Sequence, residues 1–496
     1  MHKKTAAVIG AGIAGIAASI RLAKKGFVVH VFESNAYPGG KLSEFEQDGY
    51  RFDAGPSLFT LPHLVDELFT LCGKNPADYF QYIRLPVICQ YFYEDRTRIT
   101  AQANPKAFAE EVAQKTGENR KHILQFLQDS RTKYDITANL FLHRSLHQLS
   151  TWFNADAFRG YANLGKLDVF RSMNQANESR FTDPRVVQLF NRYATYNGSD
   201  PYQTPATLNI IPHLEYNIGA FFPVKGMYHI TQSLVDLAKE VGVQLYFNSP
   251  VEEIVVRQGK TVGVRLSNST SGAADAFKPF DVVVSNMDVV NTYRRLLPGQ
   301  AQPNLILRQP KSSSALIFYW GIAHQFPELS LHNIFFSRDY RQEFTSIFEE
   351  KSISDDPTVY INITSKYKPD DAPQGCENWF TMINVPNNTG QDWDKLIGEA
   401  RAHILTKLSR LLGREIEPLL ACESILDPRS IEFRTSSSQG ALYGNSSNNR
   451  YAAFLRHANK SSRIKNLYFC GGSVHPGGGI PLSLLSAKIA TDWIES

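Results

Sequence analysis

Near the N-terminus, Gly10-Ala11-Gly12-Ile13-Ala14-Gly15 has the spacing of a backbone cradle for phosphate. In a Gly-x-Gly-x-x-Gly turn the first glycine makes the tight bend, and the second admits a pyrophosphate against the main chain. The third lets the following helix pack closely on its strand. Glu33 stands eighteen residues after Gly15, at the end of the next apolar run. There a carboxylate can accept hydrogen bonds from both hydroxyls of an adenosine ribose. A glycine turn in an unrelated α/β protein would share the bend but not the acid at that distance. The combination predicts a dinucleotide held by Gly10, Gly12, Ala14, Gly15 and Glu33.

The elements that must hold this turn flank it. Residues 6 to 9 form a short apolar β run, residues 14 to 25 carry helical periodicity, and Val28 to Phe32 reads as a second buried strand. Residues 105 to 200 are mostly helical in pattern, with apolar positions three and four apart at Ile123, Phe126 and Leu127 and again at Leu142, Leu146 and Leu149. A helix over Met227 to Val241 leads into strands at Val243 to Phe247, Val251 to Val256 and Val262 to Leu266, a polar loop at Ser267 to Gly272, and a strand at Val282 to Val284. Strands at 312 to 322 and 358 to 364, a helix near Trp393 to Leu412 and a polar loop at Gly444 to Asn449 follow. A strand at Leu467 to Cys470 and a helix from Leu482 to Ile494 close the pattern. There is no internal repeat.

Composition narrows the partners. The 52 Lys and Arg against 48 Asp and Glu, net +4 over 496 residues, are too balanced for a nucleic-acid partner. Hydrophobic residues at 43%, with 32 Gly and 25 Pro, belong to an ordinary folded chain. Cys72, Cys89, Cys376, Cys422 and Cys470 are scattered without Cys-x-x-Cys spacing, which fits a reducing cytoplasm. The N-terminus has no secretory pattern, and no uncharged apolar run reaches the ~18 to 20 residues of a spanning helix, so membrane contact is expected to be peripheral.

Two further motifs extend the glycine turn. Tyr37-Pro38-Gly39-Gly40-Lys41 and Asp53-Ala54-Gly55-Pro56-Ser57 follow Glu33, and at this point the chain resembles the flavin-containing amine oxidase and phytoene desaturase superfamily. The resemblance implies FAD, reached by Gly39, Gly40, Lys41, Gly55, Pro56 and Ser57. No second glycine fingerprint follows a later strand, so a separate NAD(P)H site is not expected. Residues 466 to 481, with Gly472-Ser473-Val474-His475-Pro476-Gly477-Gly478-Gly479-Ile480-Pro481, are similar to the terminal signature of bacterial carotenoid desaturases. The likeness continues through Phe221 to Met227 and Val284 to Asp288. It implies further FAD contacts at Val251, Ser285, Asn286, Gly472, Ser473, Gly479, Ile480 and Pro481. The turn at Gly472 to Gly477, with Ala206-Thr207-Leu208 and His213-Leu214-Glu215, looks more like the hydroxycarotenoid 3,4-desaturase branch than the phytoene desaturase branch.

Other patterns carry less. His143 and His147, four apart on an expected helix face, have no third ligand and an Arg144 where a metalloprotease acid would stand, so no metal site is expected. Gly471-Gly472-Ser473-Val474-His475 lacks the fifth-position glycine of a nucleophile elbow. Asp156 and Arg159, three apart, suit a solvated ion pair; they are also the candidate catalytic or substrate-orienting residues of the helical insert. Residues 136 to 171 carry Leu140, Leu142, Leu146, Leu149, Trp152, Phe153, Phe158, Tyr161, Leu164 and Phe170 beside basic residues. That mix suits a lipid headgroup layer or ordinary core helices. Carotenoids dissolve only in lipid, and the resemblance favours the membrane.

The expected architecture is α/β (α+β): a Rossmann-type FAD-binding domain from residues 1–76, 221–290 and 445–496, and a discontinuous substrate domain from 77–104, 201–220 and 291–444. Residues 105–200 are the helical insert and candidate membrane-contact region. The resemblance implies an FAD-dependent desaturase acting on a C–C bond next to the polyene of a long apolar carotenoid, with dioxygen or a quinone as electron acceptor, at the inner face of the cell membrane. Phytoene desaturation, carotenoid isomerisation and amine oxidation are the alternatives. Amine oxidation is disfavoured because Ser473 to Pro476 offers no paired aromatics.

Overall fold

The computed structural model describes residues 3–267, 276–449, 451–452 and 454–495, with the backbone alone for Leu164. From residue 268 the expected loop at Ser267 to Gly272 lies outside the described residues.

A five-stranded parallel sheet is assembled from distant parts of the chain. Its order is Leu467–Phe469, Val282–Ser285, Thr5–Ile9, Val28–Phe32 and Gln244–Tyr246. Strands so rich in Ala and Val suit burial on both faces, as a parallel sheet requires. Side chains of Thr5–Ile9 alternate accordingly. Ala6 and Val8 enter a core with the helices Ile13–Lys24, His229–Glu240 and Ile480–Asp492. Ala7 and Ile9 enter another with Ile254, Val264 and Leu266 of the antiparallel meander Val251–Arg257, Lys260–Leu266 and Phe277–Pro279.

The second layer is a seven-stranded sheet in the order Leu420–Leu426, Ser314–Ile322, Glu377–Val385, Val359–Asn362, His332–Phe335, Val87–Phe92 and Arg98–Gln102. Its pairs are antiparallel except for His332–Phe335 beside Val87–Phe92. Leu316, Phe318, Trp320 and Ile361 bury one face against the helix Trp393–Leu412. The alternate residues Ala315, Ile317, Phe380, Met382, Tyr360 and His332 turn to a large cavity.

The helical block begins with Pro105–Thr116, capped by the Asn104 side chain, and Arg120–Phe141, capped by Asn119. Helical turns run past residue 200 to Ile218, and Ser130 Oγ donates 2.6 Å to the Asn209 carbonyl to hold them on the block. One expectation fails here. The long helix stops at Phe141, so Leu142, Leu146 and Leu149 do not share a helix, and His143 and His147 lie in an exposed turn. Leu142 and Leu146 instead line the cavity, so tertiary burial overrides the local periodicity.

Arg51 ties the layers together. Buried to 8% exposure, it lies 2.8 Å from Asp53 and 3.2 Å from Asp371, and its Nε donates 2.7 Å to Glu44. Asp53 also accepts the Met227 and Tyr228 N–H groups at 2.9 Å, ahead of the helix His229–Glu240. Removing one charge from such a cluster strands its partners. Arg51→Met is expected to lower unfolding stability by about 3 kcal/mol, read from urea denaturation.

Candidate active site

The first turn is held by backbone contacts that only glycine allows. Gly10 sits at φ +94° and donates 2.8 Å to the Phe32 carbonyl. A Cβ at Gly15 would lie 2.1 Å from the Gly10 carbonyl oxygen, and one at Gly12 would lie 2.6 Å from Asn286 Oδ1. Glu33 accepts the Ala11 N–H at 2.7 Å and the Asn35 N–H at 2.9 Å. These bonds hold its carboxylate at the edge of the cavity beside the turn. The helix Ile13–Lys24 starts at Gly12 with no side-chain cap and no acid in its first turn, which leaves its positive end open to an anion.

The second turn packs on the first. Gly39 donates 2.7 Å to the Ala11 carbonyl and stands at φ +105°. A Cβ at Gly55 would lie 1.7 Å from the Lys41 carbonyl oxygen, so Gly55-Pro56-Ser57 and Gly39-Gly40-Lys41 form one surface. Lys41 Nζ donates to the carbonyls of Ala441 and Leu442 at 3.1 and 2.8 Å. Burial pulls its ammonium down to about 8, while Asp288 opposes the shift.

The closing turn completes the groove. Ser473 Oγ accepts the Val289 N–H at 2.9 Å. Gly479 is at φ +101° with nothing within 4 Å of its would-be Cβ, and the helix Ile480–Asp492 begins there, again without a side-chain cap or an acid in its first turn. Arg456, 3% exposed, donates 3.1 Å to the carbonyls of Tyr443 and Asn445, and among the described residues no carboxylate pairs with it. Burial lowers it to about 10, so it stays charged near pH 7 and places a cation behind Gly477, where a Cβ would be 3.3 Å from its Cζ.

One cavity of about 1180 Å³ joins all three turns to an apolar hollow beneath the seven-stranded sheet. The hollow is walled by side chains such as Ile317, Ile334, Phe380 and Met382, and by Leu140, Trp152 and Tyr161 of the helical block. Arg192 and Glu215 also reach its wall, 3.0 Å apart. Tyr193 donates 2.6 Å to Glu215, Tyr196 bonds it as well, and Arg192 Nε donates 2.9 Å to Tyr91 Oη. This buried pair is internally satisfied.

Of the residues expected to contact the cofactor, Gly10, Gly12, Ala14, Glu33, Gly39, Gly40, Lys41, Gly55, Pro56, Ser57, Val251, Asn286, Gly472, Ser473, Gly479, Ile480 and Pro481 line this cavity. Gly15 and Ser285 are not on its wall. Gly15 is the packing glycine, and Ser285 Oγ is engaged 2.8 Å from Thr292 Oγ1 at the end of its strand. Asp156 and Arg159 are not on the wall either. In the helix Ala155–Ala162 it is Ala157, Gly160 and Tyr161 that face the cavity; Asp156 pairs with Arg144 at 3.3 Å rather than with Arg159, which is exposed. Sequence reasoning missed Arg456, His332 and Tyr360. Nothing in the spacing of these residues marks them, because the topology alone brings them to the cavity.

These residues fit FAD. Two uncapped helix ends meet one cavity, an acid stands at the adenosine end, and an open space above Gly479 lies beside a buried cation. Residues 13–494 match the family described as flavin containing amine oxidoreductase. The chain is 50% identical over 493 residues to a 1-hydroxycarotenoid 3,4-desaturase from Flavobacterium sp., covering 99% of both chains. It is 33% identical to a 4,4'-diapolycopene oxygenase from Methylomonas sp, covering 98% of this chain and 97% of the other. Among solved structures, putrescine oxidase bound to putrescine shares the fold with a TM-score of 0.64 at 14% identity over 100% of both chains. The chain belongs to the flavin containing amine oxidoreductase family, and its cofactor is FAD.

Proposed function

We propose that the protein is a carotenoid desaturase that removes two hydrogens from the 3,4 bond of an acyclic-ended 1-hydroxycarotenoid. One observation carries the reading: the groove that fits FAD and the apolar hollow are a single cavity, so a long apolar molecule in the hollow reaches the closing turn. The 50% identity to a 1-hydroxycarotenoid 3,4-desaturase supports this end group.

When bound, FAD supplies the acceptor for a hydride equivalent. The second hydrogen leaves the substrate as a proton, and the charge between the two events spreads along the polyene. No strong base is required. The protein's part is to align the bond and exclude water, which the Ile317, Phe380 and Met382 wall does. Arg456 and the positive end of the helix Ile480–Asp492 hold positive potential beside residues 472–479, which favours an electron-rich ring there. Dioxygen or a quinone removes the electrons in this scheme.

The reading extends to location: cytoplasmic, attached to the inner face of the cell membrane. Leu149, Phe153, Phe158 and Phe170 of the helical block are 62 to 86% exposed, and Ala157, Gly160 and Tyr161 on the same block line the cavity. Among the described residues no helix is long and apolar enough to cross a membrane. An exposed apolar cluster at the cavity's helical wall suits the transfer of a lipid-dissolved substrate.

Mass spectrometry of the pigment formed from a 1-hydroxylated acyclic carotenoid should show the loss of two hydrogens. An unchanged mass would indicate isomerisation, and a gain of oxygen an oxygenase. Gly479→Leu should abolish FAD retention while ADP still binds, as followed by calorimetry. The protein should sediment with anionic liposomes, less so at high salt, and Phe153→Ser with Phe170→Ser should weaken this at least severalfold.

A further inference from the structure

The wall of the hollow that adjoins the cofactor groove carries a buried donor that pairs with none of the described residues. His332, on the strand His332–Phe335, is 2% exposed and lines the cavity. Its Nδ1 is 2.8 Å from Tyr360 Oη and 3.2 Å from Asn362 Nδ2. The Asn362 amide is oriented by a second bond, from the same nitrogen to the Leu331 carbonyl at 3.0 Å, so toward His332 it can only donate. Nδ1 is therefore the unprotonated nitrogen. Burial, with Arg192 nearby, holds the ring down to about 3, so it is neutral and carries its hydrogen on Nε2. Among the described residues nothing accepts from Nε2. A ring oriented through one nitrogen, with the other left unpaired on a cavity wall, is the geometry of a donor kept for a ligand.

Its position ties it to the reacting bond. Tyr360 Oη is also 2.8 Å from Ser57 Oγ, and Ser57 belongs to the Gly55-Pro56-Ser57 segment that packs on the Gly39-Gly40-Lys41 turn of the groove. The chain Ser57, Tyr360, His332 thus runs from the cofactor groove to a part of the wall that carries Ile317, Ile334 and Met382, with Arg192 and Glu215 on the same wall paired to each other. In a 1-hydroxycarotenoid only three single bonds of about 1.5 Å separate the hydroxyl oxygen from C3. A protein group that reads this hydroxyl must therefore stand beside the groove, not deep in the hollow.

We propose that His332 Nε2–H donates a hydrogen bond to the 1-hydroxyl oxygen of the carotenoid, with Tyr360, Asn362 and Ser57 as the groups that orient it. This subsite rests on the substrate class proposed above. It selects hydroxylated over unhydroxylated end groups and sets the 3,4 bond in register with the cofactor. A buried donor left unpaired penalises the ligand that lacks the oxygen.

The test uses FAD-loaded protein and two probes, an acyclic carotenoid and its 1-hydroxy derivative, dispersed in detergent. Binding is followed by quenching of tryptophan fluorescence, and turnover by pigment analysis. Wild type should bind the hydroxylated probe about 10- to 100-fold more tightly. His332→Leu should narrow that ratio to within about threefold. His332→Gln, whose amide can donate, should restore part of it, and Tyr360→Phe should relax it in the same direction by a smaller factor. The last two variants carry the test if the first fails to fold. A wild type without preference, or a preference that survives His332→Leu, overturns the subsite. A preference that follows His332 in a protein that leaves both probes chemically unchanged upholds the subsite and overturns the desaturase reading.

Discussion

The side-chain amide of Asn286 occupies the crevice where three strands of the parallel sheet end, and three glycines exist to make room for it. A Cβ would meet Asn286 Oδ1 at 2.6 Å from Gly12 and 3.1 Å from Gly15, and Asn286 Nδ2 at 2.5 Å from Gly471. The same amide donates 3.1 Å to the Cys470 carbonyl, and the Asn286 N–H donates 2.8 Å to that of Ile9. The first glycine turn and the closing turn are thereby placed by one side chain. Both helix ends that serve the cofactor inherit their positions from it. The second of the fingerprint glycines thus answers to a neighbour in the fold as well as to a pyrophosphate.

Charge is handled differently in different parts of the molecule. Around Arg51, opposite charges meet directly and tie the strand Tyr50–Asp53 to Asp371 and, through Asp53, to the segment ahead of the helix His229–Glu240. At the cavity wall Arg192 and Glu215 neutralise each other within a ring of tyrosines, so a polar cluster borders an apolar hollow without drawing in a counter-ion. Among the described residues Arg456 donates hydrogen bonds to carbonyls alone. A buried guanidinium without an acid is costly unless something electron-rich stands near it, and its neighbours are the residues of the closing turn.

Much of this was legible in the sequence where backbone geometry forces residue choice. The turn at Gly10 to Gly15, Glu33, the Gly39-Gly40-Lys41 and Gly55-Pro56-Ser57 segments and the closing glycines all come to one cavity, and the helix expected at Trp393 to Leu412 has those ends. What was not legible depends on contacts between distant segments. Leu142 and Leu146 mimic a helix because cavity-lining residues of a turn are as apolar as a helix face, and Leu149 belongs to a separate short helix, Leu149–Trp152, with its side chain exposed. Asp156 and Arg159 have the right spacing for a pair, yet Arg144 competes for Asp156 from twelve residues away. His332 and Tyr360 lie in strands whose alternation declares two faces without saying which one meets the groove.

The strand order of the parallel sheet bears on how the chain is made. Thr5–Ile9 lies between Val28–Phe32, its neighbour in sequence, and Val282–Ser285, which in turn pairs with Leu467–Phe469. Synthesis from the N-terminus therefore delivers the nucleotide turn first and its closing partner more than four hundred residues later. Until then the strand Val282–Ser285 has a bare edge, and the crevice of Asn286 is open on one side. The complete flavin groove therefore exists only once residues 471–483 have come to stand beside the first glycine turn.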